Sequence, residues 1–214
     1  MEINWLGHSC FIIRGKKKTI ITDPYHPDLG YSLGKPEADI VTVSHFHPGH
    51  SYVEGIANNP KQVNGPGEYE IGGVFITGIA SFHDAKKGEI KGKNTIYHIE
   101  LDGMTLCHLG DLGHRLTPQL IEQMGGIDIL FVPVGEVSTI SIDIAVEIVG
   151  QLNPHIVIPM HYKTDALTAN LQPVDKFLKK MVGREPEVKP NLSVTKSSMP
   201  DTTQVIILDY PRSL

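Results

Sequence analysis

Ala38-Asp39-Ile40-Val41-Thr42-Val43-Ser44-His45-Phe46-His47-Pro48-Gly49-His50 passes from a nearly continuous apolar run into three imidazoles within six positions. The run Ile40–Val43 reads as a strand buried on both faces. Alternate side chains of an extended chain point the same way, so His45 and His47 can grip one ion from the strand's end. His50 lies beyond Pro48-Gly49, a turn pair that swings it to a different approach. Neutral imidazole is the commonest protein metal ligand, and a cluster this dense calls for a cation.

The same grammar, an apolar strand followed by a ligand-type residue, recurs along the chain. Ile20-Ile21-Thr22 leads to Asp23-Pro24, Ile79-Ala80-Ser81-Phe82 to His83-Asp84, Leu106-Cys107-His108-Leu109-Gly110 to Asp111, and Ile156-Val157-Ile158-Pro159-Met160 to His161. Strand ends on one edge of a sheet are where loops bring together ligands from distant parts of a chain.

Around these motifs the chain reads as an ordinary globular domain. Its 214 residues suit one domain, 1–214, with a core that needs no disulfide staple. The net charge of −5 carries no nucleic-acid footprint. Cys10 and Cys107 each adjoin an apolar run and read as buried thiols. The start shows no secretory signal and no segment has the length of a membrane span, so a cytoplasmic protein is expected.

Strands dominate early. Cys10–Arg14 and Thr19–Thr22 flank Gly15-Lys16-Lys17-Lys18 as a hairpin, and Asp102-Gly103 is a hairpin turn between Asn94–Leu101 and Met104–His108. Val74–Ile79 is a further strand. Later, strands and helices alternate. Thr117-Pro118 opens a helix that stops at Gly125-Gly126, Ser141–Leu152 has a helical apolar rhythm, and Val174–Val182 is a third helix. Ile127–Val132, Ile156–Ile158 and Gln204–Leu208 are strands between and after them. The Pro-rich Glu185–Pro200 reads as a surface connection. This order favours two packed sheets with helices outside.

On these motifs, together with Gly7-His8-Ser9-Cys10-Phe11 at the start, the chain resembles the metallo-β-lactamase-fold hydrolase superfamily. It is most similar to the compact branch of the bacterial ascorbate-phosphate lactonases. The resemblance runs in family order to about Tyr162. It implies an α/β fold, a four-layer αββα sandwich of two mixed β-sheets flanked by helices, with metals at one edge. Residue by residue, it implies that His45, His47 and His83 hold a first metal. Asp111 would bridge to a second, completed by His50 and His161, with Asp111 and His161 shaping catalysis. Asp23 would sit behind the ligands and orient the histidine loop by hydrogen bonds.

The family loop reads His-x-His-x-Asp-His, whereas here Gly49 stands at the aspartate position. The second site thereby loses a ligand and a negative charge. Glu68, Asp84 and His114 are candidates to replace it.

Other residues have plainer readings. His108 is expected to be packed or to support a ligand, His8 lies in the opening strand and is placed near the site only by the resemblance, as a residue supporting the ligands, and His26 and His98 are incidental. The lysines of Lys86–Lys93 form a solvated turn or attract an anionic substrate, and Tyr162 and Lys163 either contact substrate or cap a loop.

Imidazoles with one carboxylate suit Zn, one ion or two, with Mn or Fe as alternatives. Such a site hydrolyses esters, lactones or phosphodiesters with activated water and needs no serine nucleophile. The expected partner is a small, anionic substrate, with no nucleic acid or membrane and a homo-oligomer left open. The competing classes are a metal-binding protein that has lost catalysis, a nucleic-acid phosphodiesterase, and a diiron oxidoreductase, which would need more carboxylates.

Overall fold

Glu2–Gly7 (β1), Cys10–Arg14 (β2) and Thr19–Thr22 (β3) form an antiparallel meander, to which Ile40–Thr42 (β4) and Lys61–Val63 (β5) add in parallel. The structure is a computed structural model and describes residues 1–181 and 187–211. Gly15 to Lys18 turn between β2 and β3 as the polar run between two β-branched runs requires.

Gly67–Ile71 (β6), Val74–Phe82 (β7), Lys93–Leu101 (β8) and Met104–His108 (β9) form a second antiparallel set. Asp102 and Gly103 both take left-handed φ, 54° and 76°, the conformation that a two-residue hairpin loop matching strand twist demands. The chain then alternates. Pro118–Met124 (α1), Ile129–Pro133 (β10), Ile142–Leu152 (α2), Ile156–Met160 (β11) and Asp175–Met181 (α3) precede Glu187–Lys189 (β12), Leu192–Ser193 (β13) and Gln204–Leu208 (β14).

Among the described residues the strands order as β13-β1-β2-β3-β4-β5 in one sheet and β12-β14-β11-β10-β9-β8-β7-β6 in the other. Glu185–Pro200 is therefore not only a connection. It carries β12, β13 and a 3-10 turn at Lys196–Ser198, while residues 185 and 186 lie outside the described residues, as does Val182, with which the expected third helix ended. Such short edge strands pair through backbone and leave no hydrophobic period to read.

The two sheets face each other across one core, in which Trp5, Phe11, Ile13 and Ile20 meet Ile99, Leu106 and Phe131. β10 and β11 are buried at every position, so helices must cover their outer face; α2 does so with Ala145, Ile148, Val149 and Leu152. Each such buried isoleucine, valine or leucine contributes ~1.5–3 kcal/mol. Ser141 caps α2 by accepting from the Ile144 amide, and Thr117 caps α1 at the Leu120 amide. The far face of the first sheet packs Ile12, Ile21, Val41 and Val43 under Tyr25, Tyr31, Leu167 and Leu171, which come from connecting segments. Among the described residues, no helix is long and apolar enough to cross a membrane.

Topology fixes where the ligand-type residues emerge. β1, β3 and β4 run in one direction in the first sheet, and β7, β9, β10 and β11 share one direction in the second. Each motif follows the C-terminal end of such a strand, so all of them arrive at one edge of the sandwich.

Candidate metal centre

Asp111 Oδ2 is the hub of that edge. His161 Nε2 lies 3.2 Å from it, His50 and His83 Nε2 3.3 Å, and His45 Nε2 3.8 Å. One ring nitrogen from each of His45, His47 and His83 lies within 4.8 Å of the others. All these side chains except that of His47 are buried. The structure thus brings together all six residues expected at the site: His45, His47, His50, His83, Asp111 and His161.

Asp23, in left-handed conformation after β3 (φ 38°), sits behind the loop with no exposure. Its carboxylate accepts from the Ser44 amide at 2.8 Å, from Ser44 Oγ at 2.5 Å and from His50 Nδ1 at 2.8 Å. Since Ser44 spends its proton on Asp23, His45 Nδ1–H donates to Ser44 Oγ at 2.9 Å. Both His45 and His50 are therefore turned so that Nε2 faces Asp111. His26, which the sequence leaves incidental, ties this loop through its backbone amide to the Pro48 carbonyl.

Asn94 positions the hub. Its Oδ1 accepts from the Asp111 amide at 2.9 Å, and its Nδ2 donates to Ser81 Oγ and the Leu109 carbonyl. A Cβ at Gly110 (φ 56°) would stand 2.4 Å from Asn94 Oδ1, so only glycine fits that close approach. Nothing in the sequence singles out Asn94 or Ser44; both act through contacts between distant segments.

Burial lowers the pKa of His45 to about 3 and also lowers those of His8 and His83, which favours neutral imidazoles with free lone pairs. His50 is the exception: burial opposes its charge, but Asp111 and Asp23 raise it to about 10. Burial likewise works against ionised Asp111, yet His161 and His50 hold it well below the carboxylate range. A cation bound there would take the place of that proton on His50.

The donor set fits a metal. Buried Nδ1 of His8, His83 and His161, Nε2 of His45 and Oδ1 of Asp111 have no hydrogen-bond partner. Buried polar atoms are almost always paired, and the two of these that belong to the hub, His45 Nε2 and Asp111 Oδ1, are the ones a cation there would satisfy.

The other expectations sort cleanly. His108 is packed, with Nε2 against the Ser9 carbonyl and Nδ1 accepting from the Gly110 amide. His8 lies just beyond β1 rather than within it, at φ 53°. None of the candidates to replace the missing aspartate does so. Glu68 is exposed on β6, opposite Thr77. Asp84 accepts from the amides of Lys86, Gly88, Ile90 and Lys91, which together lower its pKa to about 2. His114 Nε2 accepts from the Phe82 amide. Tyr162 is buried with its ring 5.0 Å from that of Trp5, and exposed Lys163 donates to the Leu167 and Ala169 carbonyls, the loop-capping alternative.

Residues 2–161 match the Beta-lactamase superfamily domain. A UPF0173 metal-dependent hydrolase of Pelotomaculum thermopropionicum is 31% identical over 195 residues, covering 77% of this chain and 85% of the relative. The chain belongs to this hydrolase family of the beta-lactamase superfamily. Its relative from Thermococcus kodakarensis, also a UPF0173 metal-dependent hydrolase, is 29% identical and covers 88% of this chain and 95% of its own length. A Thermotoga maritima structure, described as a candidate Zn-dependent hydrolase of the metallo-beta-lactamase superfamily, superposes with a TM-score of 0.82 at 39% identity, over 98% of this chain and 99% of that one. The metallo-β-lactamase fold is thereby established for this hydrolase.

Proposed function

We propose that this metal-dependent hydrolase cleaves a small anionic ester, lactone or phosphodiester, with zinc as its cation. The observation that carries the reading is the convergence of four imidazole Nε2 atoms on Asp111 Oδ2, beside a cavity that opens on His45 and His47. His45, His47 and His83 would hold one ion, and Asp111, His50 and His161 would contribute to a second. When bound, such a cation supplies Lewis acidity and generates a hydrolytic nucleophile near neutral pH.

The chain's own residues do the rest. Asp23 and Ser44 fix the tautomers of His50 and His45. Asn94 aims Asp111 by its backbone amide.

The cavity, about 450 Å³, is lined by Phe46, Asn64, Lys91 and Lys93 as well as the two histidines, a size that takes a metabolite. Lys91 is held by the Ser138 carbonyl at 2.9 Å, while exposed Lys93 presents its charge at the mouth. This favours the anionic reading of the lysine-rich turn. Phosphate-bearing lactones and esters are the first substrates to try.

The test is hydrolysis by zinc-loaded protein of paired substrates that differ only in carrying a phosphate or a neutral group. Phosphorylated members should be turned over with at least ~10-fold higher kcat/KM. Lys93→Glu should raise KM, and His83→Ala should abolish turnover. Equal rates on charged and neutral partners, or full activity in His83→Ala, would refute the reading.

A further inference from the structure

Gly49 occupies a position where the backbone does not require glycine. Its φ lies outside the left-handed region, so an L side chain would fit the conformation. Space is what such a side chain would lack. A Cβ built there meets His8 Nε2 at 3.1 Å, tighter than ordinary contact, and touches His8 Cδ2 at 3.4 Å. The volume that a side chain at 49 would enter is crowded by the edge of an imidazole that follows β1, three strands away from β4.

That imidazole is held in place. The left-handed turn at residue 8 aims its carbonyl at two donors, Trp5 Nε1 and the His161 amide, each at 3.0 Å. The ring packs, tilted, with its centroid 4.2 Å from that of His161 and 4.9 Å from that of His50. It is 4% exposed and its Nδ1 has no partner. One ring nitrogen from each of His8, His50 and His161 lies within 4.8 Å of the other two. A histidine kept only for packing would be a poor choice here, since burying an unpaired polar atom costs ~1–3 kcal/mol.

We propose that His8 is a ligand of the second metal site, where it replaces the side chain that Gly49 lacks. The inference rests on the metal-hydrolase reading and extends it. The second site becomes His8, His50 and His161 with Asp111, which pairs three imidazoles with one carboxylate. Exchanging a carboxylate for a neutral ring makes that site one unit more positive. It also turns its preference toward zinc, cobalt or nickel and away from manganese or magnesium.

Zinc content of the full chain, reconstituted with zinc alone and dialysed, tests the assignment. Wild type should hold two ions per chain and His8→Ala one, with the second zinc weakened beyond the ~10–100-fold that loss of an outer hydrogen-bond partner costs. His8→Ala combined with Gly49→Asp should recover the second ion, because the aspartate enters the space that the ring leaves. Zinc anomalous scattering from wild-type crystals needs no variant to fold and should place an ion ~2.0–2.1 Å from a ring nitrogen of His8. Unchanged zinc content in His8→Ala, with one ion lost in His83→Ala, would overturn the role of His8 and leave the hydrolase reading standing. Wild-type protein that takes up no zinc would overturn both.

Discussion

Asp23 and His50 share a buried hydrogen bond of 2.8 Å between Oδ2 and Nδ1, formed by residues 27 positions apart and with almost no solvent access. The bond decides which nitrogen of His50 is free. With Nδ1–H committed to Asp23, Nε2 is turned to Asp111 at 3.3 Å. A carboxylate behind an imidazole also makes it a better donor to a cation.

Asp23→Asn keeps the shape and the tolerance for left-handed φ but removes the charge. Zinc affinity should fall ~10–100-fold, with the fold retained by circular dichroism. Unaltered affinity in a competition titration against a chromophoric chelator would mean that the bond is only structural.

Gly110→Ala should damage fold and site together. The left-handed backbone costs a non-glycine residue ~1–2 kcal/mol, and displacing Asn94 from the Asp111 amide costs ~1 kcal/mol more. Urea denaturation should therefore show a loss of ~2–3 kcal/mol, with weaker metal retention.

Asp84→Asn should loosen the segment that begins beside His83. Its carboxylate collects four backbone amides, from Lys86, Gly88, Ile90 and Lys91. Hydrogen exchange at those amides should accelerate by ~10-fold or more, while the core strands keep their protection. Uniform exchange rates in both proteins would rule out this anchoring role.

Asp128 gives the fold an acid-sensitive clasp. Burial raises its pKa, but the hydrogen bonds from Lys196 Nζ and the Thr105 amide, with the charges of Lys196 and His155, outweigh this and lower it. A carboxyl that is a stronger acid when folded stabilises the fold fully above its ordinary pKa of about 4, and the benefit is lost as pH falls through the lower folded value. Lys196 is mostly exposed, so solvent screening keeps the pair near ~1 kcal/mol. The melting temperature of Asp128→Asn should fall below wild type near neutral pH, and the gap should narrow below about pH 4. A gap independent of pH would assign the loss to packing.

Much of the site could be read before folding, because strand, turn and ligand follow one another in sequence. Ile40–Val43 running into His45 and His47, or Leu106–Gly110 into Asp111, carries both the fold and the chemistry in one segment. The helices were equally legible where Thr117-Pro118 and Ser141 mark their starts. What escaped were relationships with no local signature. β12 and β13 are short edge strands identified only by their partners, β14 and β1. Asn94 looks like any strand-end polar residue until Asp111 arrives beside it. The approach of His8 to Gly49 depends on a left-handed turn and on two loops 41 positions apart, and no period or spacing encodes that.

His8 and His161 both hold φ at 53° and both bury a ring nitrogen that has no partner. Glycine at either position would relieve ~1–2 kcal/mol of backbone strain, against ~0.5–1 kcal/mol of added flexibility in the unfolded chain. The metal-free fold has little use for either imidazole. If both rings serve as ligands, a lineage screened for thermal robustness alone would let both drift away, because what makes the protein sturdier and what lets it bind pull in opposite directions at these two positions.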